Sequence, residues 1–201
     1  MHLVRGDLER AISTLEQSVA LADTWQIGLM RGTCTDMLAH ASALAGRRDD
    51  AWHRVLAPHE PARSYSAARR VSRGECLLAV GRADEALADA QEAVTLARRF
   101  GERAHEAKVL CLEAAVRATR AGERDLARRA YREALDLASA LGMRPLVARC
   151  ELGLGRLAAV DGSADAETQI ARAAAAFREL GMPYWREQAE RADRSSALGR
   201  R

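Results

Sequence analysis

Arginine supplies nearly every positive charge in this chain: Lys108 is the only lysine among 31 basic residues. A guanidinium offers a planar fork of N–H donors that grips a carboxylate or phosphate with two parallel hydrogen bonds, which a lysine ammonium cannot do. Arginines that share a face are therefore the first candidates for recognition chemistry, although codon preference accounts for the bias equally well. The 31 basic residues stand against 28 acidic ones, a net charge of +3. The signs are interleaved, as in Arg10/Glu9, Arg82/Asp84 and Arg124/Asp125. Interleaving of this kind marks solvated helix faces rather than a nucleic-acid stripe.

Other chemistries lack their residues. The chain contains no G-x-x-x-x-G-K-[S/T] phosphate loop, and Lys108 has no glycine loop before it. Gly153-Leu154-Gly155-Arg156-Leu157-Ala158 fits the letters of the dinucleotide fingerprint. That motif requires a preceding strand, whereas the flanking leucines point to a helix interior, so close helix packing is the expected role. The five histidines (His2, His40, His53, His59, His105) show no H-E-x-x-H spacing and no nearby cysteine pair; His53 and His59 flank a proline loop as exposed histidines often do. There is no G-x-S-x-G elbow for a nucleophile. Glu102, Glu106 and Glu113 are spaced as a wet helix face rather than as an acid–base pair. The expectation is a protein that binds and does not catalyse, with no catalytic, cofactor or metal residues.

The elements that would position a binding site are helices. Alanine, leucine, arginine and glutamate dominate; aromatics reach 4%, and isoleucine occurs only at Ile12, Ile27 and Ile170. No apolar run approaches the roughly 18 residues of a membrane span, and the first residues lack a signal-peptide h-region. Cys34, Cys76, Cys111 and Cys150 are 42, 35 and 39 residues apart, which places each inside its own helix as a small buried thiol. A cytoplasmic protein with reduced thiols fits this spacing.

Self-similarity organises the chain. Gly6, Gly46, Gly81, Gly122 and Gly162 are separated by 40, 35, 41 and 40 residues. The first four are followed five residues later by Ala11, Ala51, Ala86 and Ala127; the fifth has Glu167 in that place. Each glycine is expected to end a helix in a left-handed conformation that residues with a Cβ avoid, and each alanine to let the next helix cross closely. Apolar residues then recur at helical spacing, as in Leu8, Ile12, Leu15, Val19 and Ala22. A second set, Gly28, Gly101, Gly142 and Gly181, is expected to close the second helices. The resulting helix pairs are 27–45 with 47–57, 63–80 with 82–99, 102–121 with 123–140 and 144–160 with 164–180, with a capping helix near 183–195. The stretch 57–63 carries two prolines and predicts a kink or loop.

A helix–turn–helix unit of about 40 residues resembles the tetratricopeptide family, whose usual unit is about 34 residues. Gly122, Ala127, Tyr131 and Ala134 fall on that family's turn-glycine, small, aromatic and small positions, and Leu154-Gly155 and Gly74 on the small positions of preceding helices. The family's terminal proline is absent and longer helices ending in glycine replace it, which is similar to the long repeats of maltose-regulator-type activators. The strings 141–157 (LGMRPLVARCELGLGRL) and 177–190 (FRELGMPYWREQAE) resemble the C-terminal ends of bacterial multidomain regulators in which a nucleotidyl cyclase and a P-loop ATPase precede the repeats. The resemblance covers roughly residues 80–192, and the 160–165 stretch departs from it. It implies an all-α, right-handed superhelix forming a single solenoid over 1–201. Its parts are an incomplete first repeat (1–25), an irregular repeat (26–62), repeats 63–100, 101–141 and 142–181, a capping segment 182–196 and a basic tail 197–201.

In such stacks the first helix of each pair lines a concave groove that receives a protein or peptide partner. The resemblance then puts Asp36, His40, Val71, Glu75, Val109, Leu112, Val116, Arg120, Arg149, Leu152 and Arg156 in the groove. Arg120, Arg149 and Arg156 would hold an acidic or C-terminal peptide, with Leu112 and Val116 against its apolar side chains; alternatively, these arginines pair with glutamates on neighbouring helices. Tyr184 and Trp185 are expected to pack on the preceding pair, with Trp185, Ala189 and Ala192 as a buried stripe, and Trp25 and Trp52 to fill gaps between helices. Helix 7–23 is expected to lack a partner and to leave Leu8, Ile12, Leu15 and Val19 partly exposed, as in the tail of a longer protein or a surface for homodimerisation. Three alternative functions remain: the ligand-sensing region of a LuxR-type transcriptional activator; a nucleic-acid-binding helical repeat, which the few aromatics and interleaved acids disfavour; and a purely structural spacer.

Overall fold

The computed structural model describes residues 2–56 and 66–198, and every regular element in that range is a helix. They are α1 (His2–Arg5), α2 (Leu8–Thr24), α3 (Gly28–Leu44), α4 (Arg48–Leu56), α5 (Ser66–Ala79), α6 (Ala83–Arg99), α7 (Arg103–Ala118), α8 (Arg124–Ala140), α9 (Arg144–Val160), α10 (Ala166–Glu179) and α11 (Pro183–Leu198). Consecutive helices pack against one another, and α3, α5, α7, α9 and α11 also touch one another in succession. No described helix is long and apolar enough to cross a membrane. The expected proline loop at 57–63, with His59, lies outside the described residues.

Glycine sets the turns. Gly81 has φ +90°, and the reversal is closed by Gly81 N–H to Leu78 C=O at 3.1 Å and Arg82 N–H to Leu77 C=O at 2.8 Å. A residue with a Cβ avoids that φ, which is why the repeat glycine cannot drift by one position. One turn departs from the expected pattern. Gly28 does not close α2; it is the first residue of α3, and Gln26 takes the left-handed conformation at φ +53°. The same pair of bonds forms there, Ile27 N–H to Ala22 C=O at 2.9 Å and Gln26 N–H to Asp23 C=O at 3.2 Å, so the turn geometry outweighs the preference for glycine.

The core runs as a chain of seams between neighbouring helices. One joins α3, α5, α6 and α7 through Ala39, Val71, Leu77, Ala90 and Val109; the next joins α7, α8 and α9 through Leu110, Tyr131, Ala134 and Cys150. A third seats Phe177 against Leu152, Ile170 and Met182, with Trp185 and Ala192 at its edge around buried Ala189, as expected for the last helix. Glycines inside helices let these seams close. A Cβ on Gly74 would lie 2.6 Å from Leu112 Cδ2, and one on Gly155 would lie 2.8 Å from Ile170 Cγ1. One on Gly153 would collide with the Tyr131 ring. Gly153 and Gly155 thus sit within α9 and receive side chains of α8 and α10.

Two expectations about apolar residues are corrected. Ile12 and Leu15 of α2 are buried, packed with Cys34, Leu38 and Ala41 of α3, because α2 finds its partner in the following helix. Trp25 fills no gap: it is 72% exposed at the α2–α3 turn, where the left-handed Gln26 swings the chain away from the core. The Trp52 side chain lies outside the described residues. All four cysteines are free and buried.

Candidate functional site

The odd-numbered helices from α3 to α11 surround a channel. Near its middle, four of them contribute one side chain each to a connected layer. Glu75 of α5 accepts a hydrogen bond from an Arg149 guanidinium nitrogen of α9 at 2.7 Å, and its other oxygen lies 3.1 Å from His40 Nδ1 of α3. The His40 contact is poorly aligned and Nδ1 makes no hydrogen bond. On the far side, the Arg149 guanidinium lies 4.5 Å from the centre of the Trp185 ring of α11, a cation–π contact.

Burial and pairing decide the charges in this layer. Burial alone would push the Glu75 carboxyl up, but Arg149, with help from His40 and Lys108, holds it below the ordinary carboxylate value. For His40 burial is the largest influence and lowers its pKa; Glu75 opposes this and Arg149 reinforces it, so the imidazole is neutral at pH 7. Arg149 stays charged, because Glu75 overcomes the cost of its burial. The layer is one ion pair with a neutral imidazole on one flank and an indole on the other.

This layer divides the channel into two chambers, each of which it lines. The first, of about 410 Å³, lies toward the starts of the inner helices and is walled by apolar side chains such as Met37, Val71, Leu146 and Met182, with His105 and Lys108 among them. The second, of about 670 Å³, lies toward their ends and has a mixed wall, with Arg48, Tyr131, Arg156, Tyr184, Glu187, Gln188 and Arg191 among apolar side chains such as Leu78 and Leu112. Both volumes fall in the range of small-ligand sites. Gly6 shuts the gap between the first and last helices: it turns at φ +77°, and a Cβ on it would collide with Tyr184.

The residues expected in the groove separate into three groups. His40, Glu75 and Arg149 meet in the central layer, and Arg156 lines the larger chamber. Leu112 reaches the same chamber wall but is 1% exposed, seated on Gly74, and Val116 is wholly buried in the α5–α7 seam. Asp36 is buried and accepts a 2.8 Å hydrogen bond from Arg69, tying α3 to α5. Arg120 turns outward at the α7–α8 turn, where it pairs with Asp84 and Glu123. Of the three arginines assigned to a peptide, Arg120 and Arg149 are therefore held by carboxylates of the protein itself, and Arg156 has no carboxylate partner among the described residues.

Sequence reasoning passed over Trp185, Tyr184 and Arg48 as parts of the site. Their signal was obscured by the rise of the stack: His40 lies twelve residues into α3, Arg149 five into α9 and Trp185 two into α11. A level layer thus takes earlier positions from the last helices, and the offset from the turn glycine that reaches His40 and Glu75 does not reach Trp185. No protein-family model and no curated protein matches the chain.

Proposed function

We propose that this chain is a non-catalytic binding module, a sensory or protein-interaction region that takes its ligand in the channel of a right-handed, tetratricopeptide-like superhelix. The observation that carries this reading is the convergence of five consecutive inner helices on one channel, with the His40–Glu75–Arg149–Trp185 layer at its centre. A ligand in contact with that layer touches residues from helices up to 145 positions apart, from His40 to Trp185. Occupancy is thereby coupled to the relative setting of the repeats. The resemblance of 141–157 and 177–190 to the ends of bacterial signalling regulators supports reading the module as part of such a cytoplasmic regulator, where reporting occupancy is the useful property.

The contact of Gly6 with Tyr184 favours the sensory version over an open scaffold. A groove closed on that side admits a compact ligand or the end of a peptide more readily than a long segment laid across it. This also favours ligand sensing, as in LuxR-type activators, over nucleic-acid binding, which needs an accessible basic track.

Native mass spectrometry of the chain isolated from its source cells tests the proposal. Ala115 lines the larger chamber, so Ala115→Trp fills it. The expected result is a bound species on the wild type that is absent from folded Ala115→Trp and Leu78→Trp variants. A species retained by both variants, or none on the wild type, overturns the reading.

A further inference from the structure

Four arginines and two glutamates line the larger chamber. Both glutamates are already committed: Glu75 to Arg149 at 2.7 Å and Glu187 to Arg191 at 2.6 Å. Arg48 and Arg156 remain without a carboxylate partner among the described residues. Arg156 makes one hydrogen bond, from a terminal guanidinium nitrogen to the Gln188 carbonyl at 3.0 Å. A guanidinium carries five N–H donors, so most of its fork has no protein partner among the described residues.

Arg156 and Arg48 line the chamber and are both exposed to solvent. Partial desolvation beside the chamber wall lowers the Arg156 pKa, an effect opposed by Tyr131 and Tyr184. Burial also pushes the Tyr184 hydroxyl up, so it is a neutral phenol and an available donor beside the guanidinium. A walled site with spare positive charge and spare donors is matched by an oxyanion, which answers both at once.

We infer that the larger chamber binds a small organic anion, a carboxylate or phosphate ester of metabolite size, with Arg156 as its bidentate partner and Arg48 as a second positive charge. The inference rests on the channel-binding reading above and specifies its ligand. A chamber of about 670 Å³ accommodates such a molecule whole. Tyr184 also abuts Gly6, so an anion engaging Tyr184 and Arg156 tightens the contact between the first and last helices. Binding would then favour the closed form of the channel.

Isothermal titration of the full chain with citrate and with inorganic pyrophosphate, at matched ionic strength, tests the site and separates carboxylate from phosphate preference. The wild type is expected to bind at least one of them at submillimolar concentration. Arg156→Gln and Arg48→Gln are each expected to weaken binding about tenfold or more, and Arg156→Lys to restore it only in part because the fork is lost. Arg132→Gln, on the exposed face of α8, is expected to bind as the wild type does. Absence of binding by both probes, or equal binding by Arg156→Gln and wild type, overturns the inference. Failure here, together with a species seen by mass spectrometry on the wild type and lost from Ala115→Trp, leaves the channel reading standing with a different ligand. A correctly folded Arg156→Gln variant is verified by its thermal melt.

Discussion

Glu75 and Arg149 lie 74 residues apart in the chain and meet at 2.7 Å in the centre of the channel. The pair ties the third repeat from the C-terminal end to the last, across α7, and is the longest-range hydrogen bond between side chains among the described residues. Charged groups this well shielded are costly to separate, because each is left facing a low-polarity wall. The pair therefore acts as a clamp on the curvature of the stack.

Removing one member tests the clamp. Glu75→Gln is expected to lower the free energy of unfolding by about 2 kcal/mol, below the full buried-pair penalty because Arg149 retains some contact with water. The double variant Glu75→Leu with Arg149→Met is expected to regain most of that loss. Urea denaturation of Glu75→Gln, of the single variants Glu75→Leu and Arg149→Met, and of the double variant measures the coupling.

The same layer sets an acid limit. The imidazole of His40 is harder to protonate in the folded chain than at its ordinary value of 6.5, so the unfolded chain takes up the proton first and stability falls as pH drops below that value. Glu75, depressed below its ordinary 4.5, adds a further loss as the pH falls through its lowered folded value. His40→Gln is expected to flatten the stability profile between pH 7 and pH 5 while leaving the lower step in place. Melting temperatures across that range show whether it does.

Gly153 has been expelled from its usual disfavour inside a helix by the Tyr131 ring that occupies the space of its side chain. Gly153→Ala is expected to destabilise by about 1–3 kcal/mol through overpacking, although alanine is the better helix former. Combining it with Tyr131→Leu is expected to restore part of the loss, which would separate packing from propensity. Thermal denaturation of the three variants decides this.

Trp25 offers the opposite case. At 72% exposure it contributes little burial, and Trp25→Ser is expected to change stability by less than about 0.5 kcal/mol. The buried Ile12 of the neighbouring helix, cut to alanine, is expected to cost about 2–4 kcal/mol. Parallel urea titrations of the two variants compare them directly.

The helix pairs were legible because their signals are local: a turn glycine, an alanine five residues on, and apolar residues at a 3.6-residue period. The α2–α3 turn was misplaced because Gln26, a residue with no special preference, adopts the conformation expected of Gly28 two positions later. Within the site, His40, Glu75, Arg149 and Arg156 could be reached by counting along the repeat. Whether each arginine would be neutralised from other repeats could not, since Asp84, one partner of Arg120, and Glu75, the partner of Arg149, lie 36 and 74 residues away. The role of Trp185 depends on how far the stack rises per repeat, a property of side-chain volumes at every seam and of no single position.

Site-specific photocrosslinking tests most directly whether the channel is where this protein binds. Benzoylphenylalanine placed at Leu78, on the wall of the larger chamber, and at Arg132, on the exposed face of α8, samples the inside and the outside of the same stack. Irradiation in the source cells is predicted to give a discrete adduct from position 78 and none from position 132. Adducts formed equally from both positions, or from position 132 alone, would contradict the assignment of the channel as the binding site.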